Sequence, residues 1–135
     1  MRIFIDTGAF IALIDAGDEN HKAAKTFYKS AIEKGTKFVT TNFVVCETMN
    51  YLSARVSHDV SVIFRENLKK SSFIEIITIT PFVEDSAFNI FKQYADKDFS
   101  FTDCTSFSVM KSLKINRSFA FDKHFEQYDN FIRLP

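Results

Sequence analysis

The sequence reads as a single α/β domain built on a mostly parallel sheet of four or five strands. Short apolar runs rich in β-branched residues and phenylalanine alternate with longer segments whose apolar residues recur at helical spacing. That alternation is the pattern of a parallel sheet covered on both faces by helices. The 135 residues suit one domain, 1–135, and no stretch among them resembles a linker. Glycine and proline are scarce, at 3 and 2 residues against 17 phenylalanines, which speaks for long regular elements over a loop-rich or disordered chain.

Arg2–Ile5 is a nearly continuous apolar run, as in a strand buried on both faces, and it stops at Asp6. Beyond Thr7-Gly8, the spacing of Ala9, Phe10, Leu13 and Ile14 predicts a helix. A second helix is expected over His21–Lys34, with Ala24, Phe27, Ala31 and Ile32 inward and Gly35 as its stop. Phe38–Thr40 is the second strand. Thr41 or Asn42 then caps a helix carrying Val44, Val45, Thr48, Met49 and Leu52. A helix over Asp59–Lys70 turns Val60, Ile63, Phe64 and Leu68 inward, and Phe73–Ile79 has the β-branched content of a third strand.

Thr80-Pro81 is a helix start, a capping hydroxyl followed by proline at the first helical position, and Glu84 and Asp85 suit the helix dipole. This helix runs to about Tyr94 through Ala87, Ile90 and Phe91. After the polar turn Asp96-Lys97-Asp98, a helix beginning near Thr102 places Cys104, Phe107 and Met110 on one side. Ser118–Phe121 is a fourth buried strand, halted by Asp122, and Phe131–Leu134 is a fifth at an edge.

The 17 basic and 17 acidic residues cancel, which argues against a protein that merely coats nucleic acid by neutralising phosphates. An acidic site that gains positive charge only with a bound ion is compatible with that balance. No apolar stretch approaches the length of a membrane span, and Met1–Ile5 has no signal-peptide character. Cys46 and Cys104 are far apart, without metal-ligand spacing, and read as free thiols on small buried residues. The expectation is a cytoplasmic protein that does not engage a membrane.

Carboxylates carry the chemistry. Ligands of open α/β sheets bind at the carboxyl ends of the strands, and Asp6 and Asp122 each follow an apolar run, so both leave the core at the same edge. Taken singly, an aspartate after a strand is commonly a cap or turn residue. Asp103, in the first turn of its helix, likewise does no more than answer the dipole. Glu47 is different. It sits among Val44, Val45, Cys46 and Met49, on a helix whose exposed face is hard to find, and a carboxylate there is costly unless paired or metal-bound. Together, four carboxylates at one edge would repel one another without a cation, and oxygen-only ligand sets suit Mg²⁺ or Mn²⁺. His21, His58 and His124 have no spacing with the cysteines that would suggest zinc.

These residues also resemble a known family. Ile3-Phe4-Ile5-Asp6-Thr7, Thr41-Asn42-Phe43-Val44-Val45-Cys46-Glu47, Phe99-Ser100-Phe101-Thr102-Asp103-Cys104 and Phe119-Ala120-Phe121-Asp122-Lys123-His124-Phe125 resemble, in order, the four acidic segments of PIN-domain nucleases. Each motif is short, but the ordered set spans essentially the whole chain. The resemblance implies a single PIN-like domain, a three-layer α/β/α sandwich. It also implies metal-dependent endoribonuclease activity, often that of the toxin in a VapBC-type toxin–antitoxin pair. It maps the acids onto Asp6, Glu47, Asp103 and Asp122, with Thr7 as an auxiliary hydroxyl. The implied mechanism is hydrolysis of RNA by metal-activated water, with Asp6 and Asp103 as main ligands, Asp122 direct or through water, and Glu47 on a second ion or the attacking water.

Partners expected on this basis are an RNA substrate, a cognate antitoxin and a second copy of the chain in a homodimer. Lys97, Lys111, Lys114, Arg117 and Lys123 are candidates for phosphate contacts, and Tyr51 and Arg55 follow Glu47 on its helix. His124, flanked by Phe121 and Phe125, reads as packed and is given no catalytic role. The alternative is a non-catalytic PIN-like module that binds RNA or a partner protein, whose signature would be a missing acid. Phosphotransfer folds also gather aspartates at strand ends, but Gly8 stands where a dehalogenase-type enzyme needs its second aspartate.

Overall fold

The computed structural model describes residues 1–135. Five strands form one parallel sheet: β1 (Arg2–Ile5), β2 (Lys37–Thr41), β3 (Ile74–Ile77), β4 (Arg117–Phe119) and β5 (Ile132–Leu134), in the order β3-β2-β1-β4-β5. Helices α1 (Thr7–Ile14) and α2 (His21–Glu33) join β1 to β2, and α3 (Asn42–Arg55) and α4 (His58–Lys70) join β2 to β3. The chain then passes through α5 (Pro81–Gln93) and α6 (Phe101–Ser112) to reach β4 on the far side of β1. The strand order therefore reverses between β1 and β4, the place where an open parallel sheet leaves a crevice at its carboxyl edge.

Alternate strand residues face opposite helix layers. On one face Phe119 meets Phe27 of α2 at 4.7 Å between ring centres, and Phe38 stacks on Tyr28 at 5.2 Å. On the other, Phe4 stacks on Phe125, which meets Phe107 of α6 edge-on at 5.1 Å. The result is the expected α/β/α sandwich. Nine of the 17 phenylalanines are buried in the core, and Phe4, Phe38, Phe107, Phe119 and Phe125 completely so.

Helix ends follow local chemistry. Thr41, Ser57, Thr80 and Ser100 each accept a hydrogen bond from a backbone amide in the first turn of α3, α4, α5 and α6. Gly35 ends α2 at φ +81°, where a Cβ would be strained. Helix α6 is buried at every residue from Asp103 to Met110. No helix is long and apolar enough to cross a membrane.

Several expectations are corrected. Strand β4 stops at Phe119, two residues before Phe121, because only Ala120 continues the pairing, donating to the Leu134 carbonyl. A short helix, α7 (His124–Gln127), follows the next turn and carried no sequence periodicity to announce it. Strand β3 is shorter at both ends than Phe73–Ile79. Ile63 and Phe91, expected inside, are about half exposed, at 54% and 44%, because α4 buries Ser61, Phe64 and Leu68 and α5 buries Ala87 and Ile90.

Candidate active site

Asp6 leaves β1 at the reversal point. Its amide donates to the Phe119 carbonyl of β4 at 3.1 Å, which ties the two central strands together beside it. It occupies the N-cap position of α1, yet its side chain makes no capping bond. The carboxylate is 5% exposed, and Oδ1 is buried with no hydrogen-bond partner. Burial, then the charge of Asp103, pushes its pKa to about 8, with Glu47 and Asp122 adding to the rise and the adjacent Thr7 backbone amide opposing it.

Asp103 is the third residue of α6. Its amide donates to Ser100 Oγ at 3.0 Å while its Oδ2 accepts from the Ser100 amide at 3.1 Å, a reciprocal capping box. This capping also fixes the acid, which is 8% exposed. Burial raises its pKa and so does Asp122, while hydrogen bonds from Ser100 and His124 pull it down.

Glu47 is exposed, contrary to the expectation of apolar surroundings. Helix α3 buries Val44, Val45, Thr48 and Leu52 and leaves Cys46 and Glu47 on its open side. Its anchor is polar instead: Thr7 Oγ1 donates a hydrogen bond to Glu47 Oε1. Asp122 lies beyond β4 in the turn before α7, not at the strand end. Its side chain is 42% exposed, and Oδ1 accepts from the His124 amide at 2.9 Å.

His124 is the residue that sequence reasoning set aside. Its Nδ1 lies 3.0 Å from Asp103 Oδ2 and 3.2 Å from Asp122 Oδ2. Ligand atoms of Asp103, Asp122 and His124 all fall within 4.8 Å of one another. The available signal was the Asp122-x-His124 spacing, in which an aspartate caps the amide two residues on and turns the ring back toward itself.

The structure thus makes neighbours of the four acids and Thr7: Asp6 feels the charges of Asp103, Glu47 and Asp122, and Thr7 bonds Glu47. It does not bring all the proposed basic residues to them. Asp103 opens α6, so Lys111 in its last turn is about 12 Å further along the axis at 1.5 Å per residue. Lys114 and Arg117 precede or open β4, at the opposite edge of the sheet. Lys111 lies over the Tyr128 ring, and Arg117 reaches Met1 Sδ. Lys97 and Lys123 remain exposed beside the acidic segments. Cys104 is buried and its thiol is pushed up to about 11 by burial and by Asp103, whereas Cys46 is exposed rather than buried. An apolar groove of about 620 Å³ is lined by Phe10, Leu13, Tyr28, Phe64, Leu68 and Ile74 and contains none of the acids.

The buried, orphaned oxygen of Asp6, with the charges of neighbouring carboxylates around it, is an arrangement that a divalent cation satisfies, so the residues fit a metal. Fold and site together define a parallel α/β protein with a cluster of carboxylates at its sheet edge. The chain belongs to the PIN-domain family, whose profile matches residues 3–130. It is 32% identical over 123 residues to the 23S rRNA-specific endonuclease VapC20 of Mycobacterium tuberculosis, covering 91% of each chain. The crystal structure of that protein, described as a Sarcin-Ricin loop cleaving toxin, superposes with a TM-score of 0.88 at 31% identity, over 96% of both chains. VapBC2 from Rickettsia felis, solved bound to a DNA fragment from its promoter, shares the fold with a TM-score of 0.71 at 14% identity, covering 98% of this chain and 97% of that one.

Proposed function

We infer that this protein is a metal-dependent endoribonuclease, the toxin of a VapBC-type pair, acting on structured RNA of the large ribosomal subunit. The single observation that supports the chemistry best is the buried, unpartnered Oδ1 of Asp6 with three further acids around it. The extensive likeness to VapC20 supports the substrate class. The complete set of acids speaks against a non-catalytic binding module.

Asp6, Asp103 and Asp122 would hold the ion, and an all-carboxylate set favours Mg²⁺ or Mn²⁺. A divalent ion bound there supplies an acidified water and neutralises charge on the scissile phosphodiester. Glu47 has Oε1 engaged by Thr7, which leaves Oε2 to orient the attacking water and accept its proton. Lys97 and Lys123 flank the acids and are placed to meet backbone phosphates.

An antitoxin is the proposed protein partner, and the apolar groove between α1, α2 and α4 offers it a surface separate from the acids. A homodimer is proposed as well, on the exposed Phe82, Phe88 and Phe91 of α5, and sedimentation would test it. A cytoplasmic location fits an enzyme that acts on ribosomal RNA. The deciding experiment is cleavage of ribosomal RNA fragments with Mn²⁺ or Mg²⁺, then with EDTA, beside Asp6→Asn. Cutting that needs the metal and the acid is expected; equal cutting by the variant would sink the assignment.

A further inference from the structure

We propose that His124 is a positioning residue that brackets Asp103 and Asp122 into one metal-facing pair. The inference rests on the metal-nuclease reading above and names a residue that reading does not use.

The two acids come from elements with no reason of their own to stay together. Asp103 is fixed on the buried helix α6, whereas Asp122 sits in an exposed turn three residues beyond β4. Like charges would drive the exposed partner outward into solvent, where each is better hydrated. His124 opposes this at two points. Its backbone amide holds Asp122 Oδ1 at 2.9 Å, and its ring Nδ1 lies between Asp122 Oδ2 and Asp103 Oδ2 at 3.2 and 3.0 Å. With only carboxylate oxygens as neighbours, Nδ1 must carry the hydrogen and donate it.

The ring itself is held. Its side chain is 17% exposed, and Phe99 packs edge-on against it with ring centres 5.5 Å apart. Next in the chain, Phe125 is completely buried against Phe4 and Phe107. The histidine is therefore anchored to the same core as α6. Oxygen ligands are commonly oriented by hydrogen bonds of this kind, and removing such a partner typically lowers metal affinity about 10–100-fold. The bonds to Ser100 and His124 also occupy Oδ2 of Asp103, leaving Oδ1 as its free ligand atom.

The test is Mn²⁺ binding to the whole protein, read from the electron paramagnetic resonance of the free ion, with no RNA present. His124→Phe keeps the aromatic packing and removes the donor. His124→Asn carries an amide nitrogen where Nδ1 stood, one bond from Cγ. Thermal unfolding in EDTA confirms that both variants fold. The expected result is a 10–100-fold loss of affinity in the Phe variant and recovery of most of it in the Asn variant. Equal affinity in wild type and His124→Phe would overturn the bracket while leaving the nuclease reading intact. Nitrogen coupling from a histidine in the wild-type Mn²⁺ spectrum would overturn it in favour of direct ligation. Failure of the wild type to bind Mn²⁺ at all would overturn both readings.

Discussion

Thr7 and Glu47, forty residues apart in sequence, are joined by a side-chain hydrogen bond that links the first turn of α1 to the middle of α3. The threonine is buried and follows Asp6 directly, so the exposed glutamate inherits its position from the sheet edge. Thr7→Val should therefore lower the cleavage rate roughly 10–100-fold, matching the ~1.5–3 kcal/mol of a hydrogen bond to a charged group. Thr7→Ser should retain most activity. Single-turnover cleavage of one RNA fragment measures both, and equal rates for Val and wild type would remove Thr7 from the site.

Asp6 costs stability in the metal-free protein. Its carboxyl titrates at about 8 when folded, against an ordinary 3.8. Between those values the folded state keeps a proton that the unfolded chain releases, so stability falls as pH rises from about 4 to about 8 and then levels off. Asp6→Asn has no such titration. In EDTA its melting temperature should exceed that of wild type by a margin that grows up to pH 8, while cleavage is lost. A constant margin from pH 5 to 9 would contradict the buried-acid account.

The same displaced pKa couples metal to protons. At pH 7 an ion entering the site must expel the Asp6 proton, so binding should release a proton and tighten with pH up to about 8. Titration calorimetry with Mn²⁺ in two buffers of different ionisation enthalpy would show it. Identical heats in both buffers at pH 7 would mean that Asp6 is already ionised.

Phe107 lies at the centre of an aromatic group, contacting Phe99, Phe125, Tyr128 and Phe131. Its truncation to alanine should cost about 3–5 kcal/mol. Urea denaturation would register the loss, which should also loosen α7 and with it the turn bearing Asp122. A change below ~1 kcal/mol would mean that the cluster repacks around the cavity.

Most of the framework was legible because strands and helices here obey their own periods. Arg2–Ile5 and its termination at Asp6 were read residue for residue. The failures have local causes. Helix α7 has four residues, too few for a helical repeat to register. Glu47 looked buried because Val44, Val45 and Met49 surround it in sequence, whereas on the helix it falls at the margin of the face that buries Val44, Val45, Thr48 and Leu52 and is exposed. His124 was passed over because its two partners come from segments about twenty residues apart, and only the fold sets them 3.0 and 3.2 Å from one ring nitrogen. The basic residues misplaced on α6 and β4 show that proximity in sequence to an acid means little when a helix carries the chain to the other end of the sheet.

Helix α6 has no free side over the eight residues from Asp103 to Met110, whereas neighbouring α5 leaves Phe82, Phe88 and Phe91 open. The two helices should therefore tolerate change at very different rates. A substitution in α6 meets close-packed neighbours in every direction and disturbs the carriage of Asp103, while one on the open side of α5 answers only to what docks there. As sequences of this kind drift apart, the outer helix is free to acquire new surfaces and new associations, and the inner one holds the chemistry still.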